Sequence, residues 1–321
     1  MFQKITRALV LAALLTPVAH GHGGLKLAQG GQDDIDIEAT DLGDGLHMLV
    51  GQGGNLGVLA GDDGVFVIDS QFANIAPKNL AKIDDIAGGT PKFLVNTHWH
   101  GDHTGGNANF GATIIAHDNV RERLTTDQNT VLLGNSRSTP AAAPAAWPVI
   151  TFDDDIRLHL NGQTIEVFHT PNAHTDGDAM IMFQEANVLH MGDVFFVGRF
   201  PFIDVSSGGT VEGYMAAMKQ ARDRIDDKTR IIPGHGRLAS RADLVESIEM
   251  LEQVTATVRQ AMSDGMDADA AVVADSLAPW ADSWGAGFIS AEVFIRLIYA
   301  DFERVTAEAA ATETPATADR P

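Results

Sequence analysis

Between Thr97 and Gly106 the chain reads T-H-W-H-G-D-H-T-G-G, which sets His98, His100, Asp102 and His103 within six positions. Imidazole and carboxylate together suit zinc and neighbouring divalent ions, and a site meant for catalysis keeps one coordination position open for water. A run this dense in ligand-type residues, following an apolar stretch and set in a glycine-rich turn, has no ready structural purpose. Three later segments offer the same residue types: His174 between T-P-N-A and T-D-G-D, Asp193 in H-M-G-D-V, and His235 in I-I-P-G-H-G. Each lies where a glycine-flanked loop is expected to leave a strand, the edge at which open α/β sheets bind ligands. Five histidines and two aspartates are enough for two adjacent metal ions.

The elements that must position these residues read as two similar halves. In the first, short β-rich runs at Gly45–Val50, Leu56–Ala60 and Val65–Asp69 are parted by the turn signals Gly51–Gly54 and Asp62-Asp63-Gly64. A helical apolar spacing covers Ile75–Ile86, and a buried-type strand at Lys92–Asn96 leads straight into the histidine motif. A strand at Thr113–His117 and a helical segment from Asp118 follow. The second half predicts strands at Ile156–Leu160, Thr164–Phe168, Ala179–Phe183 and Val188–Met191, then a helix over Val211–Arg224. The strand Arg230–Ile232 and a long amphipathic helix over Arg241–Met262 complete it. Between the halves, Gln128–Pro148 is rich in Pro, Ala and Ser and is expected as a surface loop flanking the cleft of one α/β domain.

The segments T-H-W-H-G-D-H, A-H-T, G-D and P-G-H-G, in this order and at these spacings, resemble the metallo-β-lactamase superfamily. The resemblance covers about Asp41 to Phe302. It implies a four-layer αβ/βα sandwich of two mixed β-sheets flanked by helices. It also implies that His98, His100 and His174 bind a first zinc ion, that Asp102, His103 and His235 bind a second, and that Asp193 bridges them. A pair of cations about 3.5–4 Å apart lowers the pKa of a shared water to near neutrality, so the expected chemistry is hydrolysis by a metal-bridging hydroxide. Asp102 would double as a catalytic residue that orients the nucleophile and returns a proton to the leaving atom. With all-His/Asp ligation, iron or manganese can replace zinc at the second site.

Around the motif, Asp69 ends a strand and is a candidate to accept the outer N–H of a ligand histidine, in competition with a helix-capping role. Thr97, Thr104 and Thr175 are candidates to bond ligand side chains, and Trp99 is expected to pack beneath the metal shelf. His47, His117, His159, His169 and His190 have no matching partners in sequence and are read as structural.

The chain ends read differently from its body. Met1 to Gly21 has a basic start (Lys4, Arg7), an apolar run from Ala8 to Leu15, and small residues at Ala19 and Gly21, the pattern of a secretory signal peptide. The apolar run is too short for a stable membrane anchor. The expected organisation is therefore a signal at 1–21, one domain at 22–305 and a disordered tail at 306–321, in a periplasmic or secreted protein. The absence of cysteine excludes disulfides, thiolate mechanisms and Cys-ligated metals. A formal net charge of −21 repels phosphate backbones, so a small-molecule substrate is expected and a nucleic acid is not.

Export and layout favour cyclic amides or esters as substrates, with β-lactam hydrolysis the leading expectation. Two residues depart from the exported di-zinc lactamases that the resemblance implies. Asp193 stands where those enzymes use a cysteine, and Phe196 where they place a lysine for the substrate carboxylate; Arg199 is the nearby cation that could replace it. The bridging-aspartate set instead matches the thioesterase and lactonase branches of the glyoxalase II kind, the alternative reading. Cleft walls are expected from Gly51–Asn55 and Phe195–Gly209, with Phe72, Trp147, Phe196, Phe200 and Phe202 as apolar contacts. A non-catalytic periplasmic metal-binding protein is the reading from a different class, and retention of all seven ligand-type residues argues against it.

Overall fold

Strand β4 (Val65–Ile68) shows how the layers arise, because it is buried along its whole length and its side chains alternate between two cores. Phe66 and Ile68 face inward, toward a second sheet, while Val65 and Val67 face outward, toward a helix. The period of two along a strand delivers this when both faces are covered. β12 (Ala179–Phe183) repeats the device in the other sheet: Ala179, Ile181 and Phe183 join the inner core, and Met180 and Met182 the outer one.

These coordinates are a computed structural model that describes residues 35–132 and 135–313. The expected signal peptide and the mature start near His22 lie outside the described residues. The first sheet has strand order β1 (Glu38–Asp41), β2 (Leu46–Val50), β3 (Leu56–Leu59), β4, β5 (Pro91–Val95), β6 (Thr113–His117) and β9 (Ile150–Phe152). It is antiparallel from β1 to β4 and parallel from β4 to β9. The second sheet orders β10 (Asp155–Leu160), β11 (Gln163–His169), β12, β13 (Val188–Phe196), β14 (Arg230–His235) and β15 (Ala239–Ser240), with only the β13–β14 pair parallel. Both sheets are thus mixed, and each belongs to one half of the chain. Phe66 and Phe183 meet edge-to-face across the central layer, 6.1 Å apart.

Helices close the outer faces. α1 (Ala76–Ala87) packs Ile83 on Leu49, Val58, Val67 and Leu94, and ends on Gly88 in the left-handed conformation. On the other side α5 (Val211–Arg224), α6 (Arg241–Ser263) and α9 (Ala291–Glu313) cover the second sheet. The result is the expected four-layer αβ/βα sandwich. No helix among the described residues is long and apolar enough to cross a membrane.

Three expectations change. Residues 306–313 do not begin a disordered tail but extend α9 to Glu313, because the run is rich in alanine and Arg304 pairs with Glu308 one turn on at 2.9 Å. The Pro/Ala-rich segment is not wholly irregular: β7 (Gln128–Leu132) and β8 (Asn135–Thr139) pair antiparallel, and Val131 N donates to Ser206 Oγ at 3.1 Å, which docks the pair beside the 195–209 segment. β13 does not stop at Met191; it runs through Phe196 with register breaks at Gly192, and Asp193 lies inside it.

Candidate metal centre

The ligand-type residues gather at one edge of both sheets. His98 and His100 lie in the loop leaving β5, and Asp102 and His103 occupy the single turn α2 (Gly101–Thr104) that His100 opens. His174 comes from the β11–β12 loop, Asp193 from the irregular part of β13 and His235 from the end of β14. Two donor groups result, His98/His100/His174/Asp193 and Asp102/His103/His235, each with its ligand atoms within 4.8 Å of one another. His174 Nε2 lies 2.9 Å from His100 Nδ1. Asp193 stands between the groups: Oδ1 is 3.0 Å from His103 Nε2 and 3.4 Å from His235 Nε2, while Oδ2 is 3.6 Å from His174 Nε2 and 3.8 Å from His98 Nε2. Asp102 Oδ2 approaches His235 Nε2 at 3.3 Å on the open side, where its side chain keeps 27% of its exposure.

Outer hydrogen bonds fix the rings of His98, His100, His103 and His174 so that the other nitrogen of each faces the cluster. His103 Nδ1 lies 2.7 Å from Asp69 Oδ2, and His174 Nδ1 lies 2.7 Å from the Phe202 carbonyl. His100 uses the opposite nitrogen, its Nε2 lying 2.9 Å from Asp204 Oδ2. The Thr97 hydroxyl donates to Asp69 Oδ2 at 2.7 Å, so it accepts from His98 Nδ1 at 3.0 Å. Carboxylate and carbonyl partners of this kind set the tautomer and raise the basicity of a metal-binding histidine. Asp69, held at φ +62, also accepts from Thr97 N at 2.8 Å, and one buried carboxylate thereby organises both His98 and His103.

The donor set fits a metal. His98 Nε2, His103 Nε2 and Asp193 Oδ1 are buried with no satisfied hydrogen bond among the described residues, an arrangement that costs free energy unless a cation takes their lone pairs. Backbone packs hard against these atoms: a Cβ at Gly54 would stand 2.0 Å from His103 Cε1, and one at Gly234 2.0 Å from Asp193 Oδ1. Electrostatics differ between the groups. Burial, with His100 beside it, lowers His174 to about 4 and leaves its imidazole neutral. Burial also pushes Asp102 up and His235 down. In Asp102 this is overcome by His103 and His235, which hold the carboxyl at about 2, and in His235 by Asp193 and Asp102, which hold the imidazole at about 9. All donors are nitrogen or oxygen, suited to zinc, iron or manganese.

The surrounding expectations divide. Asp69 takes the outer-ligand role rather than a helix cap. Thr104 Oγ1 donates to the Trp99 and His100 carbonyls and Thr175 Oγ1 to Asp178, so neither bonds a ligand side chain. Trp99 is buried against Ala116, Val120 and Leu124 under the His100 ring. Phe196 is buried and stacks on His235 with ring centres 5.3 Å apart, and Phe202 stacks on His100 at 5.9 Å. Phe200 belongs to the core against Phe294, and Trp147 donates to the Ala142 carbonyl. Arg199 is half-buried, and a Cβ on Gly287 would meet its Cδ at 3.1 Å. The remaining histidines stay outside the cluster; His117 and His169 stack at 3.8 Å, and His190 Nε2 lies 3.1 Å from the Asn55 carbonyl.

Sequence reasoning missed two residues. Asp204 lies in the expected cleft wall but carries no motif that marks it as the partner of His100. Asn55 donates to the Pro233 and Gly236 carbonyls at 2.8 and 2.9 Å and clamps the loop that presents His235. Its position after a glycine-rich turn was its only signal.

With this geometry in place, the family comparison is decisive: residues 49–235 match the metallo-beta-lactamase superfamily. The chain belongs to that superfamily. The solved metallo-beta-lactamase from Pontibacter korlensis aligns over 68% of this chain and 99% of its own, with TM-score 0.55 and 16% identity, a likeness of fold. Among curated proteins the chain is similar to a beta-lactamase-like protein 2 homolog of Caenorhabditis elegans, 25% identical over 59% of each chain. It is also similar to the acyl-coenzyme A thioesterase MBLAC2 of Bos taurus, 24% identical over 47% of this chain and 58% of that protein. The hydroxyacylglutathione hydrolase of Pelagibacter ubique is 27% identical over 45% and 51%. The chain thus spans a little over half the length of these relatives.

Proposed function

We propose that this protein is a metal-dependent hydrolase of thioesters. The observation that carries the reading is Asp193, one oxygen toward each donor group, together with Phe196 closing the neighbouring position that would otherwise hold a cation. Two of the curated relatives are named for thioester hydrolysis, which supports this reading over the β-lactam substrate that export and layout favoured in the sequence.

His98, His100 and His174 would hold one divalent ion, and Asp102, His103 and His235 the other, with Asp193 shared. Bound there, the ions would polarise the thioester carbonyl and supply hydroxide near neutral pH. The chain's own residues do the rest. Asp204, Asp69, Thr97 and the Phe202 carbonyl hold the rings in register, so no reorientation is needed as the reaction proceeds. Asp102 reaches the open side of the cluster, so its carboxylate would accept a hydrogen bond from the attacking water and hand the proton on to the departing sulfur. Phe196 and Phe202 each cover one face of a ligand ring, His235 and His100 respectively.

The test is a substrate panel on the zinc-loaded protein. Turnover of acyl-coenzyme A or hydroxyacylglutathione thioesters, lost in Asp102→Ala, is the expected result. Turnover of nitrocefin with no thioesterase activity would overturn the reading. Metal analysis after purification without added metal should return two ions per chain. The N-terminal pattern supports export, and fractionation of cells expressing the full chain tests it.

A further inference from the structure

The loop between α8 (Ala278–Trp284) and α9 lies beyond residue 235, where the family match ends, yet it reaches the wall of the metal centre. It sets Phe288 edge-on to Phe202, ring centres 5.8 Å apart at 88°. Phe202 in turn lies on the His100 ring and meets His174 edge-on at 5.6 Å. Phe288 remains 47% exposed, the one aromatic among the large hydrophobic side chains exposed in the described residues. Its exposure does not come from a loose end. Phe200 N donates to the Trp284 carbonyl at 2.8 Å, and the Phe200 ring stacks on Phe294 at 4.9 Å. Phe294 N donates to the Ser290 carbonyl at 2.9 Å, which fixes the start of α9.

An apolar ring held open beside a cluster of donor groups is a surface kept for a ligand. The two side chains that form this wall, Phe202 and Phe288, present ring carbon alone, so the part of a ligand that packs on it is apolar. We infer that Phe202 and Phe288 form the acyl-binding wall, and that Phe288 is a specificity-determining residue favouring acyl groups of several carbons. The inference rests on the thioester reading for the identity of the substrate, while the wall itself is testable without catalysis.

The neutral carrier N-acetylcysteamine removes carrier charge from the comparison. With the zinc-loaded full chain, octanoyl-N-acetylcysteamine should be hydrolysed with a higher kcat/KM than the acetyl thioester. Phe288→Ala should lower the octanoyl-to-acetyl ratio about tenfold, the lower end of what an apolar pocket discriminates. Phe288→Leu should retain most of it. In parallel, calorimetric titration of the same proteins with octanoate and acetate should show octanoate binding weakened about tenfold by Phe288→Ala. An unchanged ratio and unchanged octanoate binding would overturn the wall, as would a shift of wild type from dimer to monomer on Phe288→Ala, which would make the ring an interface between copies. If neither thioester is hydrolysed but octanoate binding still depends on Phe288, the thioester reading fails and the wall stands.

Discussion

The two halves of the chain serve the metal centre in opposite ways. The first concentrates four ligand-type side chains in the loop after β5, and one buried carboxylate, Asp69, holds two of them, His103 directly and His98 through Thr97. The second supplies three from separate places, His174 from a loop, Asp193 from within β13 and His235 from the end of β14. The contacts that hold them are long-range: the Phe202 carbonyl stands behind His174, and Asn55 of the first half clamps the His235 loop. Asp204 of the second half reaches back to His100. The first is largely a local design, in which one short loop and turn carry four donors. The second is a tertiary one, in which strand register and loop return set it. Failure should therefore be collective in the first half and piecemeal in the second.

The largest effect is expected at the residue where the halves meet. Asp193→Ala removes the carboxylate common to both donor groups, and thioester turnover should fall about 10³-fold or more, the rate equivalent of about 4 kcal/mol; a loss below tenfold would show that the two groups work independently. Chelation comes next. Metal at a thousand-fold excess over its dissociation constant stabilises the fold by about 4 kcal/mol, so stripping it should lower Tm by several degrees, and an unmoved Tm would break the link between site and fold. Asp69→Asn and Asp204→Asn then compare the buried carboxylate that each half supplies to the histidines after β5. Each should weaken metal binding within the range of about 10–100-fold, with Asp69→Asn the more severe because it disturbs two ligands rather than one; the reverse order in a metal titration would refute the collective-versus-piecemeal contrast.

The smallest effect lies away from the centre, in the second half alone. Ser240 caps α6 by accepting from Asp243 N, while Asp243 accepts from Ser240 N and pairs with Arg237. Ser240→Ala should cost about 1 kcal/mol in denaturant unfolding and leave metal content unchanged. Arg237, with Ser240, holds the Asp243 carboxyl at about 2, below its unfolded value. That contribution is complete above about pH 4 and disappears as pH falls toward 2, so Asp243→Asn should flatten the stability profile only in that acid window.

What could be read in the sequence follows the same division. His98 to His103 declared themselves because their neighbours in space are neighbours in the chain. The strands β4, β6 and β12 were legible because continuous apolar runs have few other uses. Asp204 was not legible, since its partner lies 104 residues away and only the folded path of the 195–209 segment joins them. β8, N-S-R-S-T, has little intrinsic strand preference and forms through pairing with β7. The end of α9 misled in the other direction: a low-complexity run of alanine and glutamate lacks an amphipathic signature yet propagates a helix already nucleated by packing. Phe288 could not be found at all from sequence, because its value depends on being left uncovered.

Phe202 performs two duties with separable parts. Its carbonyl anchors His174, and its ring faces the cleft. Any L-residue in the same backbone conformation keeps the first, while the side chain alone decides the second. The position can therefore vary across apolar, polar or small residues, changing the surface of the cleft without releasing His174. A lineage exploring new substrates would find its freedom here and in the α8–α9 loop, and would find none at Asp69.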